Sequence, residues 1–446
     1  MALRPETATG GGLTADQIEA NFADLAPLLE PHQAKVEADR CLYCYDAPCI
    51  EACPTGIDVP TFIHQIRSGN LRGSAETILD ANIFGGACGR ACPTEVLCES
   101  ACVMNKRGEE PIHIGALQRH AVEALIDKGG PHPFHRAAPT GKRLAVVGAG
   151  PAGLSFAHRA ALLGHTVTVY EARPKPGGLN EYGLAAYKMS GDFAARETAF
   201  VLDVGGITME HGKALGREIT LTELRNNHDA VFLGIGLGGS RKLDIPGESL
   251  DGMIDALDFI AGLRQAKAKS GLPIGRSVVV IGGGNTAVDA AVQAKRLGAE
   301  RVVLAYRRGE AEMSATAWER DLARLNGVEI KLWSMPMAIM GQDRVEAVQF
   351  AESRLIDGKL TLTGESYTVE ADMVLRAIGQ LLAPAGLDGL TVTAGKIDID
   401  SAFSTAIPGV FAGGDCVATG EDLTVRSVED GKQAAIACDL WLKGAN

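Results

Sequence analysis

Apolar positions in the first third of the chain recur at helical spacing. TADQIEANFADLAPLL begins at Thr14, a residue suited to cap a helix. VPTFIHQIRSG and GSAETILDAN each place apolar residues three and four positions apart. GGPHPFHRAAPTGKR, rich in Pro and Gly, reads as a linker. Beyond it the pattern changes. KRLAVVGAGPAGLSFAHRAALLGHTVTVYEA predicts a buried strand, a helix and a second strand, and RSVVVIGGGNTAVDAAVQAKRLGAERVVLAYRR predicts the same order again.

HDAVFLGIGLGG and ADMVLRAIGQ are similar apolar strands ending in glycine, and they bracket the second of these units. The chain therefore leaves a first domain and later returns to it. IPGVFAGGDCVA supplies a further strand, and LTVRSVEDGKQAAIACDLWL a helix after it. The expected fold is α/β: a helical N-terminal domain over 1–137, then two nested Rossmann-like domains, one from 138–245 with 381–446 and one from 246–380.

The glycines give both nested domains a chemistry. Gly148, Gly150 and Gly153 form GxGxxG between strand and helix, and Glu171 ends the second strand. That arrangement brings a pyrophosphate to a helix N-terminus, with the acid accepting from an adenosine ribose. In the later unit Gly282, Gly284 and Ala287 make the fingerprint, with Asn285 and Thr286 opening its helix. Its second strand ends in Tyr306-Arg307-Arg308 instead of an acid, and guanidinium groups suit a 2′-phosphate. The first site thus suits FAD and the second NADP(H), with NAD(H) as the alternative. Gly414 and Asp415 end a strand from which an acid can reach a flavin's ribityl or pyrophosphate region through water, and the following helix aims its N-terminus there.

Net charge is −12, which argues against nucleic-acid or anionic-membrane partners. No apolar run is long enough to span a bilayer, and MALRPETATGGGLTADQIE lacks the features of a signal peptide. A cytoplasmic location follows as the expectation, and with it reduced thiols.

Eight of the ten cysteines fall between 41 and 102: Cys41, Cys44, Cys49, Cys53, Cys88, Cys92, Cys98 and Cys102. Disulfides are disfavoured in a reducing compartment. Zinc is the rival, because Cys41-x2-Cys44 is half of a tetrahedral site. Three close cysteines followed by Cys53-Pro54, and a second Cys-Pro at Cys92, instead follow the ferredoxin pattern, in which the fourth cysteine serves another cluster. Two [4Fe–4S] clusters are expected, and by count eight thiols would fill them. No Cys-x-x-Cys lies in either dinucleotide domain, which argues against thioredoxin-reductase chemistry. His113 reads as a helix-start or packing residue, MPMAIM as strand and core, and Cys416 and Cys438 as buried small residues.

CLYCYDAPCIEACPTGIDVPTFI, CGRACPTEVLCESAC, IHIGALQRH, VFAGGDCVA and TVRSVEDGKQAA carry a family resemblance over nearly the whole chain. The sequence resembles the flavin and iron–sulfur small subunit of bacterial dihydropyrimidine dehydrogenase, and more distantly the small subunit of glutamate synthase. The resemblance implies one cluster on Cys41, Cys44, Cys49 and Cys102. It implies a second on Cys53, Cys92, Cys98 and Gln118, leaving Cys88 a bystander. GGLNEYGLAAYKMS departs from the family: it lacks Gly-Ile-Pro and has Lys188 where arginine is common, while Gly177 and Gly178 still fit. A lysine keeps the charge but loses the bidentate fork, which puts flavin contact there in doubt.

The implied activity is an electron relay in which NAD(P)H reduces FAD and the clusters carry single electrons to a partner subunit. That step asks for no catalytic nucleophile or general acid on this chain. The pyrimidine-reducing site is absent from the sequence, so the partner would hold FMN and further clusters. Two other readings are a glutamate synthase small subunit or similar NAD(P)H-driven donor, and a binding protein whose clusters only brace its N-terminal domain.

Overall fold

The computed structural model describes residues 12–383, 385–419 and 422–444; the first residues of the chain, on which the signal-peptide expectation partly rests, lie outside these. The described chain divides into two compact units.

One unit comprises residues 26–181, 191–238 and 382–444. Its sheet is five-stranded and parallel, in the order Val410–Ala412, Ala230–Leu233, Arg143–Val147, Thr166–Glu171, Ile207–His211. The return of the chain for the edge strand Val410–Ala412 follows from register: Ala412 lies opposite Leu233, itself opposite Val147, and all three are buried. The glycine-led helix Pro151–Leu162 covers this sheet, and Thr424–Leu442 packs on that helix at close range. A Cβ on Gly431 would lie 2.1 Å from the Ala152 carbonyl oxygen, so glycine is required at the crossing.

The same unit holds the helices Pro31–Asp39, Val59–Arg67, Leu71–Ala81, Gly85–Ala91 and Ile114–Lys128. Asp58 and Asn70 cap two of them by accepting from Thr61 N and Gly73 N. Their apolar stripes bury Phe62, Ile63, Ile78, Leu79, Leu117 and Val122.

The other unit comprises residues 12–25, 182–190 and 239–381. Its parallel sheet runs Met253–Asp255, Met373–Arg376, Ser277–Ile281, Arg301–Ala305, Glu329–Lys331. A three-stranded antiparallel sheet, Ser334–Met340, Ala347–Ile356 and Lys359–Glu370, sits beside it. The MPMAIM segment is a strand, but its alternation buries Ile339 and leaves Met337 and Met340 at 39% and 44% exposure. Met337 and Met340 face outward, so the core reading holds for part of the segment only.

Two segments join this unit from a distance in sequence. Thr14 caps the helix Ala15–Asn21, which ends well short of the predicted apolar run and buries Ile18 and Phe22 in one core with Val278 and Ala290. Asn21 and Arg296 exchange side-chain bonds to each other's carbonyls, at 2.9 and 3.0 Å. Among the described residues no helix is long and apolar enough to cross a membrane.

Candidate functional site

Two cavities open among the N-terminal helices, and both are lined with thiols. The first has about 380 Å³ of empty space, with Cys41, Cys44, Cys49 and Cys102 on its wall among Val59, Ile63, Ile112 and Ile114. Cys102, far along the chain and just ahead of Val103–Lys106, reaches the same cavity. Burial pushes the Cys49 thiol up to about 12 and raises that of Cys41. Buried thiols with such values keep their protons unless a metal centre takes the protons' place.

The second cavity, about 300 Å³ of empty space, is lined by Cys53, Cys88, Cys92, Cys98, Asn82 and Gln118. Both candidates for its fourth ligand, Cys88 and Gln118, are thus on its wall. Gln118 Nε2 donates to the Gly85 carbonyl at 2.6 Å, which leaves the amide oxygen as its metal-donor atom. The hydrogen bond with Cys88, and burial, raise the Cys92 thiol. Sulfur-rich donors around apolar space suit iron–sulfur clusters, so the residues present fit that group.

The first dinucleotide turn is built by close backbone approach. A Cβ on Gly153 would fall 1.9 Å from the Gly148 carbonyl oxygen, and Gly148 itself has φ +97°. Gly150 is different: its nearest neighbour would be Gly178 Cα at 3.7 Å, so the space beside it is open for a ligand. Glu171 accepts from Ala149 N at 2.8 Å and from Arg173 N at 2.7 Å, fixing its carboxylate beside the turn. Gly177 N donates to the Ala149 carbonyl, bringing Gly177 and Gly178 against the same turn.

Gly414 completes this wall, with its N–H donating to Asp430 Oδ2 at 3.0 Å. Asp415 accepts from Ser427 Oγ at 3.0 Å, and burial pushes its carboxyl up to about 6. Asp430 and Ser427 were not legible as site residues. Their place in VRSVEDG, at helical spacing on the helix after Asp415, is the signal that could have found them. Cys416 and Cys438 are fully buried, and burial raises both thiols to about 12. His113 caps the helix Ile114–Lys128, its N–H donating to Glu37 at 2.8 Å.

The second turn repeats the geometry within its own unit. A Cβ on Gly282 would meet the Ala377 carbonyl oxygen at 2.2 Å, and Ala287 is buried where a third glycine could stand. Gly284, Asn285 and Thr286 are half-buried at the helix start, and Asn285 Oδ1 accepts from Thr316 N. Tyr306 lies across the turn, its ring 2.5 Å from where a Gly283 Cβ would be. Arg307 is exposed and Arg308 half-buried, their carbonyls accepting from Ser353 Oγ and Trp333 N. Lys188 belongs to this unit's interior, paired with Asp289 and Glu319.

Residues 142–431 match the family described as pyridine nucleotide-disulphide oxidoreductase. The chain belongs to that family. As a pyridine nucleotide oxidoreductase it uses NAD(P)H, and residues 18–129 match a second family, dihydropyrimidine dehydrogenase domain II, 4Fe-4S cluster. The oxidoreductase is 34% identical to the NAD-dependent dihydropyrimidine dehydrogenase subunit PreT of Escherichia coli O157:H7, over 96% of this chain and 99% of that one. It is 30% identical to the glutamate synthase [NADPH] small chain of Escherichia coli K12, over 95% and 94%. Both relatives carry the names that the resemblance pointed to. Among solved structures, Mycobacterium tuberculosis FprA in complex with NADPH superposes with a TM-score of 0.58 at 22% identity, covering 68% of this chain and 85% of that one. Lactococcus lactis thioredoxin reductase gives 0.54 at 22%, over 68% and 99%. These likenesses establish the nested dinucleotide fold.

Proposed function

We propose that this oxidoreductase is the electron-input subunit of a dihydropyrimidine dehydrogenase, with FAD on the Gly148 turn and NAD(P)H on the Gly282 turn. Two [4Fe–4S] clusters occupy the thiol-lined cavities, one on Cys41, Cys44, Cys49 and Cys102, the other on Cys53, Cys92, Cys98 and Gln118. A flavin held on the Gly148 turn would supply hydride acceptance from reduced nicotinamide and single-electron release to the clusters.

The chain's residues bind and orient. The open space beside Gly150 admits a pyrophosphate, and Glu171 stands ready beside it for a ribose. Asp415 is held by Ser427 at the mouth of the same site. Arg307 and Arg308 give the second site a positive end for a 2′-phosphate. Ile63, Val59 and Ile112 give the first cavity an apolar side.

The observation that carries the proposal is the grouping of the thiols: each cavity draws its wall from both cysteine clusters of the sequence or from a distant amide. The partner is an FMN- and iron–sulfur-containing catalytic subunit, a reading supported by relatives named as subunits. Purification with that partner, followed by assay of uracil against 2-oxoglutarate plus glutamine, tests it. NAD(P)H-dependent turnover of uracil is expected; turnover of the second pair alone would establish the glutamate synthase reading, which the second relative favours. A Gln118→Leu variant with an unaltered cluster spectrum would remove Gln118 from the ligand set and leave Cys88 in its place.

A further inference from the structure

The turn from Asn82 to Gly85 orients two amides in opposite senses. Phe84 N–H donates to Asn82 Oδ1 at 3.0 Å. A main-chain N–H can only donate, so the oxygen of the Asn82 amide must face the turn and Nδ2 must face away from it. At Gln118 the order is reversed, since Nε2 donates to the Gly85 carbonyl.

Asn82 is fully buried, and it lines the cavity that holds Cys53, Cys92 and Cys98. Among the described residues its Nδ2 has no hydrogen-bond partner. A buried amide donor without an acceptor is costly, and such groups are rare in folded proteins unless a ligand answers them. The remaining wall of the cavity offers mainly sulfur, from the surrounding thiols and the sulfides of a cluster they would bind, with Thr94 and the Gln118 oxygen as its other acceptors, the latter committed to the cluster in the reading above.

We propose that Asn82 Nδ2 is a hydrogen-bond donor to sulfur of the second cluster and sets that cluster's reduction potential; this rests on the two-cluster reading above. Reduction adds negative charge to the cluster. A fixed N–H dipole aimed at its sulfur stabilises the reduced form more than the oxidised one, and so raises the potential. The two amides then act as a pair. Gln118 supplies a neutral oxygen ligand in place of a thiolate, and Asn82 supplies a donor, and both effects favour electron acceptance. The sequence holds the signal in DANIFGGACGR, where an asparagine follows the helix Leu71–Ala81 and precedes the cysteine helix.

The test compares full-length wild type with Asn82→Leu and Asn82→Asp. Leucine removes the donor at similar size, whereas aspartate keeps an oxygen for Phe84 N–H and removes the donor. Iron and acid-labile sulfide are measured first, then each cluster is titrated by electron paramagnetic resonance against potential. The expected result is iron for two clusters in all three proteins, a more negative second potential in both variants, and an unshifted first. A second potential unchanged in the leucine variant overturns the proposal. Loss of the second cluster from the aspartate variant, with the first retained, also overturns it and assigns Asn82 a structural role. Iron for a single cluster in the wild-type protein overturns the two-cluster reading itself, and is seen before any variant is compared.

Discussion

Glu197 Oε1 accepts the main-chain N–H of Gly86 at 2.8 Å, joining the helix Phe193–Leu202 to the turn that opens Gly85–Ala91. Ala87 N–H donates to the same carboxyl group, which is completely buried and pushed up to about 8 by that burial. Phe193 closes the contact: a Cβ on Gly86 would lie 2.3 Å from its ring. The carboxyl group thus holds the cysteine-bearing helix from a part of the chain that belongs, in sequence, to the dinucleotide fold.

Glu197→Ala should therefore strand two buried N–H groups and cost about 2–4 kcal/mol in chemical denaturation. Glu197→Gln keeps an oxygen acceptor and should cost less than half as much. Equal losses in the two variants would show that the acid itself, rather than its oxygen acceptors, is what the helix requires.

Lys188 Nζ lies 2.7 Å from Asp289 Oδ1 and also pairs with Glu319, all three side chains being nearly inaccessible. Lys188→Met would remove the buried cation that these carboxylates face, with an expected loss of about 3–5 kcal/mol in denaturant. Flavin content should stay at the wild-type level, because the ammonium is committed inside its own unit. A variant of normal stability that purifies without flavin would reverse this assignment.

Gly150 and Gly153 should separate folding from binding. Gly153→Ala forces a methyl into a carbonyl oxygen and should yield little folded protein. Gly150→Ala makes an ordinary contact at 3.7 Å and should melt within a few degrees of wild type, yet purify with at least tenfold less flavin. Flavin absorbance together with thermal melting would check both. Full flavin content in Gly150→Ala would place the pyrophosphate elsewhere.

His158 controls part of the acid limb of stability. Burial, reinforced by nearby His132 and Arg159, lowers its pKa to about 3. Its ring packs beside His132 and Phe134, and Nε2 has no hydrogen-bond partner among the described residues. The unfolded chain binds a proton near pH 6.5 that the folded chain refuses, so stability is full above that pH. It falls as pH drops toward 3, by up to about 1.4 kcal/mol per unit. His158→Phe should flatten this slope in urea titrations at stepped pH. An unchanged slope would mean that other groups carry the acid limb.

Much of the site was legible in the residues alone, for a local reason. Gly148, Gly153 and Gly282 are required by contacts with backbone a few positions away or on the neighbouring strand, so their spacing carries the information. The thiols were legible because metal-binding chemistry tolerates few other side chains. Asp430, Ser427, Glu197 and Asn82 were not. Each is an ordinary polar residue on or beside a helix, and its role depends on what the fold sets opposite it. Lys188 shows the same limit: its departure from the family's arginine put flavin contact in doubt, but its actual partners lie more than a hundred residues downstream.

The amino-acid order by itself determined the two dinucleotide turns, their nesting and the sulfur-rich N-terminal region, because backbone approach and metal chemistry restrict residue type at short range. Tertiary structure decided which thiols share a cavity, which way the Asn82 and Gln118 amides face, and that residues 12–25 belong with the second unit. Those outcomes depend on packing and hydrogen bonds between segments far apart in the chain, and such pairings leave no periodic trace in either segment.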